Sequence, residues 1–488
     1  MLNMDQKLLK REEEGKIIRT GIVGAGQMGR GMVTQMAIMK GISPSIVSDI
    51  KIENVINAFH YAGISDEQIA IAKTLEDANK YMEMGKFVAT DNSDLISQAN
   101  LVECAIDVTG VPEVGVKIAI DSMNNGKHVV MMDVETDVVI GSYLKKLGDK
   151  NGVVYTGSAG DEPGAVMELY SFAKAMGMDV KVMGKGKNNK LDYDCNPDTV
   201  LEEAIRRKMS PRMLCAFKDG TKTMVEMTAM SNATGLVPDV IGGHGPAASP
   251  AERCKELNEI FKLKEDGGIL NKHGVVEYVN GIAPGVFVTV STENEEIAYQ
   301  MQYHSMGPGP LWTLYRPYHL CNLETPLTVA KAVIDKEPTI IPIDGPVSEC
   351  ITVAKRDLST AGTKITVNTL SGQIPTDIAV SKLADYLTFT GVEGSDLSAI
   401  KNSSKEYTLI VKNADGTDAK QFKNGSTYTV TVRAKDGGNC TGEQTFTVVA
   451  TAAALNAVSA KTQYTIDYTG DEIKPSKSDL GELVIQYF

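Results

Sequence analysis

No apolar run in this 488-residue chain approaches the roughly 18 residues that a helix needs to cross a bilayer, which excludes a membrane-spanning helix. Basic charge is also short. Lys plus Arg total 49 against 62 Asp plus Glu, a net charge of -13, so the counterion release that drives nucleic-acid binding has no footprint. The expected partners therefore include neither nucleic acid nor membrane. Cysteine is sparse and scattered: Cys104, Cys195, Cys215, Cys254, Cys321, Cys350 and Cys440 form no CxxC pair and no metal-ligand spacing. They are expected to be reduced and inert, and no metal ligand is assigned. No nucleophile stands beside a His and an acid, so covalent hydrolase chemistry has no support. The N-terminus, MLNMDQKLLKREEEGK, lacks the apolar stretch that engages a secretory pathway, and the expected location is cytoplasmic.

What is present is enough for about three domains at ~150 residues each, with 42% hydrophobic residues to fill their cores. Composition divides the chain sharply. All 22 Met, all six His and the single Trp precede residue 360, whereas residues 362–488 contain none of these and carry 18 Thr. In the first part, short apolar runs alternate with helical stretches, the pattern of a mostly parallel sheet covered by helices. Residues 17–23, 45–49, 101–107, 128–133 and 153–156 read as strands, and 27–40, 112–124 and 141–150 as helices. Residues 66–84 read as one further amphipathic helix. The next region mixes helices at 196–208, 221–232 and 250–261 with strands at 179–183 and 285–291, an α+β pattern. In the tail, residues 407–411, 427–432 and 444–449 alternate polar and apolar between Asp415-Gly416, Asn424-Gly425 and Gly437-Gly438 turns, which predicts antiparallel strands in a β-sandwich.

Gly24, Ala25, Gly26, Gln27, Met28 and Gly29 spell GxGxxG between the first strand and the first helix of the α/β pattern. The first Gly permits the tight turn, the second lets backbone approach a pyrophosphate, and the third lets helix and strand pack closely. The helix N-terminus supplies unpaired N–H groups to the phosphate. Asp49 closes the next strand 23 residues after Gly26, where a carboxylate accepts hydrogen bonds from an adenosine ribose. An acid there favours NAD, but Lys51 could meet a 2′-phosphate, so NAD and NADP both stand. Asp107, Thr109, Gly110, Asp133 and Glu135 end later strands and open onto the same crevice. Helix capping is the competing reading for Asp133, Glu135 and Asp137.

A second glycine-rich turn, Gly157 to Gly164, places Asp161 and Glu162 at the mouth of a helix that starts at Pro163. The stretch Gly184-Lys185-Gly186-Lys187-Asn188-Asn189 reads as a loop dense in donors for a substrate carboxylate or phosphate, an exposed basic loop being the alternative. Lys222 and Glu226 lie four apart on one helical face in the order that serves helix stability poorly. A buried lysine beside a carboxylate would instead donate a proton to a carbonyl or alkoxide. His304, Arg316 and His319 flank a Gly/Pro-rich loop, and Arg316 is the expected anion anchor. His244 sits in Gly242-Gly-His-Gly-Pro246 and reads as a satisfied loop histidine.

These segments together resemble the deoxyxylulose-phosphate reductoisomerase-like oxidoreductases, which are related in fold to homoserine dehydrogenase. The matching stretches are GIVGAGQMG, VECAIDVTG, GKHVVMMDVETD, GDEPG, GKGKNN, DGTKTMVEM, SNATG and LYRPYHL, within residues 15–358. The resemblance implies a Rossmann domain, a homoserine-dehydrogenase-like catalytic domain and a small SAF domain. It also implies a nicotinamide-dependent reduction, in some members coupled to rearrangement of a phosphorylated ketose. Lys185, Lys187, Lys222 and Glu226 fall in the catalytic-domain motifs. VSECITVAKRDL at 347–358 resembles the start of the SAF domain, and the sequence from Thr363 is similar to Ig-like repeats of bacterial surface proteins.

The resulting expectation is α/β: a doubly wound Rossmann sheet at 1–160, an α+β catalytic domain at 161–345, a truncated SAF start at 346–361, an all-β Ig-like domain at 362–455 and an incomplete β module at 456–488. The expected function is an NAD(P)-dependent oxidoreductase on a small, anionic, polyhydroxylated substrate, working as a homo-oligomer. A divalent ion is compatible with that chemistry. Simple dehydrogenation of a hydroxy acid or homoserine-like substrate is one alternative, and a non-catalytic surface protein with a vestigial Rossmann domain is the other.

Overall fold

The computed structural model describes residues 3–207, 209–343, 345, 347–348, 366–369, 379–390, 407–435, 442–450 and 455–458. Seven parallel strands form the first sheet: β1 (Ile18–Val23), β2 (Ile42–Ser48), β3 (Ile69–Ile71), β4 (Phe87–Thr90), β5 (Cys104–Asp107), β6 (His128–Met131) and β7 (Tyr155–Gly157). Their spatial order is β3-β4-β2-β1-β5-β6-β7. The chain winds one way from β1 and then crosses back to β5, so the switch point lies between these two neighbours, where open α/β sheets bind ligands. The helices are α1 (Met4–Glu13), α2 (Gln27–Ile38), α3 (Ile52–Tyr61), α4 (Leu75–Glu83), α5 (Asp94–Gln98), α6 (Pro112–Asn124) and α7 (Val134–Asn151). Both faces of the sheet are covered, which is why its strands read as continuous apolar runs. Along β1, Ile22 packs with Met32, Val33 and Phe59 on one face while Val23 packs with Ile46, Val88 and Ile96 on the other.

A second, mixed sheet has the order β12-β11-β8-β10-β9. Its strands are β8 (Asp179–Lys187), β9 (Val237–Pro238), β10 (Val275–Asn280), β11 (Val286–Ser291) and β12 (Trp312–Arg316). Helices α8 (Glu162–Ala175), α11 (Thr221–Thr234), α12 (Arg253–Ile260) and α13 (Glu295–Tyr303) complete this region; α9 (Leu201–Arg207) lies in the 194–215 segment, where α10 (Pro211–Asp219) begins, and α14 (Thr325–Ala330) packs into the core of the first sheet through Val329 and Ala330. The core contains Val166 of α8, Met230 of α11 and Val288 of β11, with Trp312 almost fully enclosed.

Chain contacts define two compact units, residues 1–193 with 216–351, and residues 194–215 with 352–488. The described tail holds β13 (Thr366–Thr369) paired with β14 (Leu387–Thr390), and an antiparallel sheet of β15 (Tyr407–Asn413), β16 (Thr427–Ala434), β17 (Glu443–Ala450) and β18 (Leu455–Val458). Tyr428, Val430 and Val432 alternate inward as the sequence pattern predicts. The expected SAF start lies outside the described residues apart from 347 and 348, and so does 459–488 of the last module.

Three expectations are corrected. Residues 66–84 are not one helix: a short turn leads into edge strand β3, which pairs with β4 from Ile69↔Phe87, before α4 begins. The expected loop at 184–187 is the end of β8, hydrogen-bonded on both sides, with Lys185 opposite Tyr278 and Val286. The glycines serve that packing, since a Cβ at Gly184 would come within 1.8 Å of the Glu277 carbonyl oxygen and one at Gly186 within 2.3 Å of the Ala283 nitrogen. Asp133 and Glu135 do not end a strand; they open α7, where Asp133 accepts a bond from the Thr136 N–H at 3.3 Å.

Phe59 has no exposed surface and joins the core behind β1. Phe59→Ala is expected to cost roughly 3–5 kcal/mol of stability, read as a lowered urea midpoint. A midpoint within error of the parent would show that this core does not hold the sheet.

Candidate functional site

The glycine loop follows β1 where the switch point opens. Gly24 has φ +105°, a conformation that L side chains rarely adopt, and a Cβ on Gly29 would lie 1.9 Å from the Gly24 carbonyl oxygen. Gly26 is different. It caps α2, and a Cβ there would meet nothing within 4 Å, so the room before the helix N-terminus is open. Asp49 braces the loop: its Oδ2 accepts from the Ala25 N–H at 2.8 Å, and its Oδ1 from the Lys51 N–H at 2.9 Å and Asn54 Nδ2 at 3.1 Å. Gln27 and Met28 are exposed on the open side. Glycines for close approach, a helix N-terminus and a carboxylate at the next strand end fit a dinucleotide.

Across the crevice, Asp107 at the end of β5 accepts from the Thr109 N–H and hydroxyl at 3.1 and 2.8 Å, and Gly110 makes the turn with φ +63°. The other Asp107 oxygen is buried without a hydrogen-bond partner, and burial pushes this carboxyl up to about 6. Burial and the neighbouring Glu135 push Asp133 up to about 7.

The second group gathers where α7, α8, β8 and α11 meet. Lys185 of β8 donates to Glu226 of α11 and lies 2.8 Å from Glu162 of α8. Lys222 of α11 lies 3.6 Å from Glu135, 3.8 Å from Glu226 and 3.9 Å from Asp161. His319 Nε2 lies 3.3 Å from Glu162, and its Nδ1 is 2.9 Å from the Gly160 carbonyl oxygen. The side chains of Lys185 and Lys222 are 7% and 14% exposed and that of Glu226 2%. Alternation along β8 turns Lys185 away from its flanking glycines, and the four-residue spacing in α11 stacks Lys222 and Glu226 on one face.

Such burial would discharge isolated groups, and here opposite charges decide each case. Burial opposes both ammoniums, yet Glu226 and Glu162 raise Lys185 above its ordinary value, and Asp161, Glu226 and Glu135 do the same for Lys222. Both lysines stay charged. Burial raises Glu162 too, but Lys185 and His319 hold its carboxyl below the usual range. Glu226 goes the other way: burial and the Glu162 charge push it up to about 8, against the pull of the lysines. Burial brings Asp161 to about 6. The cluster thus pairs two fixed cations with two carboxyls that burial raises above the ordinary range.

The remaining sequence candidates fall elsewhere or are already engaged. Lys187 is buried and donates to the Phe217 carbonyl at 2.7 Å. Asn188 and Asn189 follow β8 and bond each other at 3.2 Å. Arg316 meets both carboxylate oxygens of Glu324 at 2.6 Å and Glu168 at 3.6 Å, so its charge is neutralised within the chain. His304 caps the exposed end of α13. His244 pairs with Asp239 at 2.7 Å, while the buried Glu277 accepts from the backbone N–H groups of His244 and Gly245. Glu135, read from sequence as a crevice residue or a capping residue, proves to face Lys222. The oxygens and nitrogen of Asp161, Glu162 and His319 lie within 4.8 Å of one another, a spacing able to hold a cation. No sequence spacing announces that triad, because His319 comes from a distant loop.

Residues 160–325 match the family model described as the catalytic domain of the oxidoreductase DRL, and this segment is an oxidoreductase domain. No curated protein matches the sequence. Solved structures similar to the chain include a probable dehydrogenase from Thermotoga maritima, 12% identical with a TM-score of 0.37 over 66% of this chain and 90% of that one. Others are the myo-inositol dehydrogenase from Lactobacillus casei in complex with NAD(H) and myo-inositol (13%, 0.27, 39% and 52%) and the UDP-N-acetylglucosamine 3-dehydrogenase from Acidithiobacillus ferrooxidans (12%, 0.28, 45% and 57%). The chain spans about half the length of these last two.

The raised Glu226 carboxyl has a consequence for stability. From its ordinary value of 4.5 up to about 8 the folded chain holds a proton that the unfolded chain has released, so this contribution is lost as pH rises through that window. Glu226→Gln removes the titration. Its urea midpoint is expected to fall less steeply than the parent's between about pH 5 and pH 8. Equal slopes would take Glu226 out of the neutral range.

Proposed function

We propose that the chain is a nicotinamide-dependent oxidoreductase that interconverts an alcohol and a carbonyl on a small polyhydroxylated molecule, with Lys222 and Glu226 at the reacting oxygen. The observation that carries this reading is the enclosed cluster in which Lys185 meets Glu162 and Glu226 while Lys222 faces Glu135, Asp161 and Glu226. The nicotinamide, when bound, supplies or accepts the hydride. Gly24, Gly26, Gly29 and the N-terminus of α2 would hold its pyrophosphate, and Asp49 its ribose. Met28, Ala25, Gln27, Thr109, Gly110, Asp107 and Asp133 line the same crevice in this reading.

Lys222 holds its proton too tightly to shuttle it, so its part is electrostatic: it donates a hydrogen bond to the substrate oxygen and stabilises negative charge there. Glu226 stores the proton. As an alcohol is oxidised, the hydroxyl proton passes to a carboxylate of the cluster; as a carbonyl is reduced, the same carboxyl returns it. Lys185 fixes Glu226 and Glu162 in place, and His319 orients Glu162 from the opposite side. Asp161 completes the ring around Lys222.

Reductive isomerisation of a sugar phosphate is the specific form suggested by the sequence resemblance, with Asn188, Asn189 and His304 as the proposed contacts to the anionic end; Arg316 and Lys187, engaged by Glu324 and the Phe217 carbonyl, are not among them. A second reading has its own support. Four carboxylates, Glu135, Asp161, Glu162 and Glu226, face only two lysines, and that excess suits an ammonium-bearing substrate of the homoserine type. Absorbance at 340 nm across a panel of sugar phosphates, hydroxy acids and amino alcohols separates the two, and silence with every compound would count against both.

Gly26→Ala should lower affinity for NADH or NADPH roughly tenfold or more while leaving the melting temperature unchanged, since the added methyl fills ligand space alone. Lys222→Ala should lower kcat about 100- to 1000-fold with cofactor affinity retained, measured by fluorescence titration. Unchanged turnover would remove Lys222 from the chemistry.

A further inference from the structure

Cys195 and Cys215 are separated by 19 residues in the chain, and their sulfur atoms lie 3.4 Å apart. Each thiol also reaches the other's backbone, Cys195 Sγ to the Cys215 carbonyl at 3.6 Å and Cys215 Sγ to the Cys195 carbonyl at 3.3 Å. Both are reduced and pack in a small apolar cluster with Val200, Ala204, Met209 and Leu214. Cys215 is buried, whereas Cys195 is partly exposed. The other thiols differ. Cys104 is fully buried, and burial drives it far above the ordinary thiol range, while Cys321 is pushed up to about 12. Among the described residues, no other pair of cysteine sulfurs comes into contact.

The position of the pair in the chain is as informative as its distance. Residues 194–215 form an excursion that belongs to a different compact unit from the residues on either side. Its first end follows β8, which carries Lys185 and Lys187, and its second precedes α11, which carries Lys222 and Glu226. The two cysteines sit at these two ends.

We propose that Cys195 and Cys215 are a redox-modification site, a dithiol that a peroxide converts to a disulfide closing the 194–215 excursion at its base. The partly exposed Cys195 reacts first: its thiolate attacks a peroxide oxygen, the O–O bond breaks, and Cys195 becomes a sulfenic acid with release of hydroxide. Cys215 then attacks that sulfur, the S–O bond breaks and a second hydroxide leaves. The two thiol protons complete two waters, so two thiols are oxidised as one peroxide is reduced. A thiol reductant reverses the bond by exchange. The inert character expected of all seven cysteines from their sequence spacing therefore does not extend to this pair.

The test is independent of the redox activity of the nicotinamide site. The full-length chain is treated with hydrogen peroxide, alkylated and digested with trypsin. Peptides 191–206 and 213–218 should appear joined, with two titratable thiols lost and both restored by dithiothreitol. In Cys215→Ser the joined pair should vanish and Cys195 should accumulate as a sulfenic acid that dimedone captures. Cys254→Ser should leave the joined peptides intact. Two results would overturn the proposal: dimedone labelling of Cys195 that is equal in the parent and Cys215→Ser, or peroxide oxidation that leaves the 191–206 and 213–218 peptides separate.

Discussion

Two lysine side chains buried in the same small volume dictate the architecture around them. A buried ammonium is stable only when it is paired and hydrogen-bonded, and removal of one partner leaves a charge that water cannot reach. Lys185 and Lys222 satisfy this condition by drawing one or more carboxylates from each of three helices: Glu135 from α7, Glu162 with its neighbour Asp161 at the start of α8, and Glu226 from α11. The junction of the two sheets is therefore electrostatic at its centre and apolar at its margins. Burial, and then the neighbouring carboxylates, raise Glu226 and Asp161 above the ordinary carboxyl range against the pull of the lysines. Stability and proton exchange have one source.

The first turn of α7 links this cluster to the switch-point crevice. Asp133 caps the helix and feels the charge of Asp107 beside the glycine loop, while Glu135, two residues on, faces Lys222. A ligand that changes charge at one end thus acts on a chain of coupled carboxyls rather than on an isolated residue. The unpartnered oxygen of Asp107 is part of this arrangement: it lies where a Cβ on Gly115 would come within 2.7 Å, and it has no hydrogen-bond partner. It is a buried acceptor kept where the crevice opens.

Local chemistry made much of this legible. GxGxxG before an amphipathic run, Pro112 and Pro163 at helix starts, and apolar strand runs covered on both faces depend on neighbours a few residues away, so β1, α2, α6 and the parallel sheet were readable. The Lys222–Glu226 pair was readable for the same reason, being one helical turn. The short edge strand β3 carries no strand signal of its own, because its reason to be extended is its partner β4. The end of β8 reads as a loop because glycines and lysines resemble one until two neighbouring strands close on them. Arg316 offered an anion anchor in sequence, and a carboxylate eight residues later occupies it.

Sequence alone determined the first strand and helix, the glycine bend between them, the acidic balance and the compositional break before the tail, because each rests on backbone propensity or on counting. Only the tertiary structure decided which carboxylates meet which lysines, that His319 joins Glu162, and that Cys195 meets Cys215. Those contacts join residues that are remote along the chain, and their strength comes from exclusion of water, a property that no stretch of sequence possesses until the chain has closed around it.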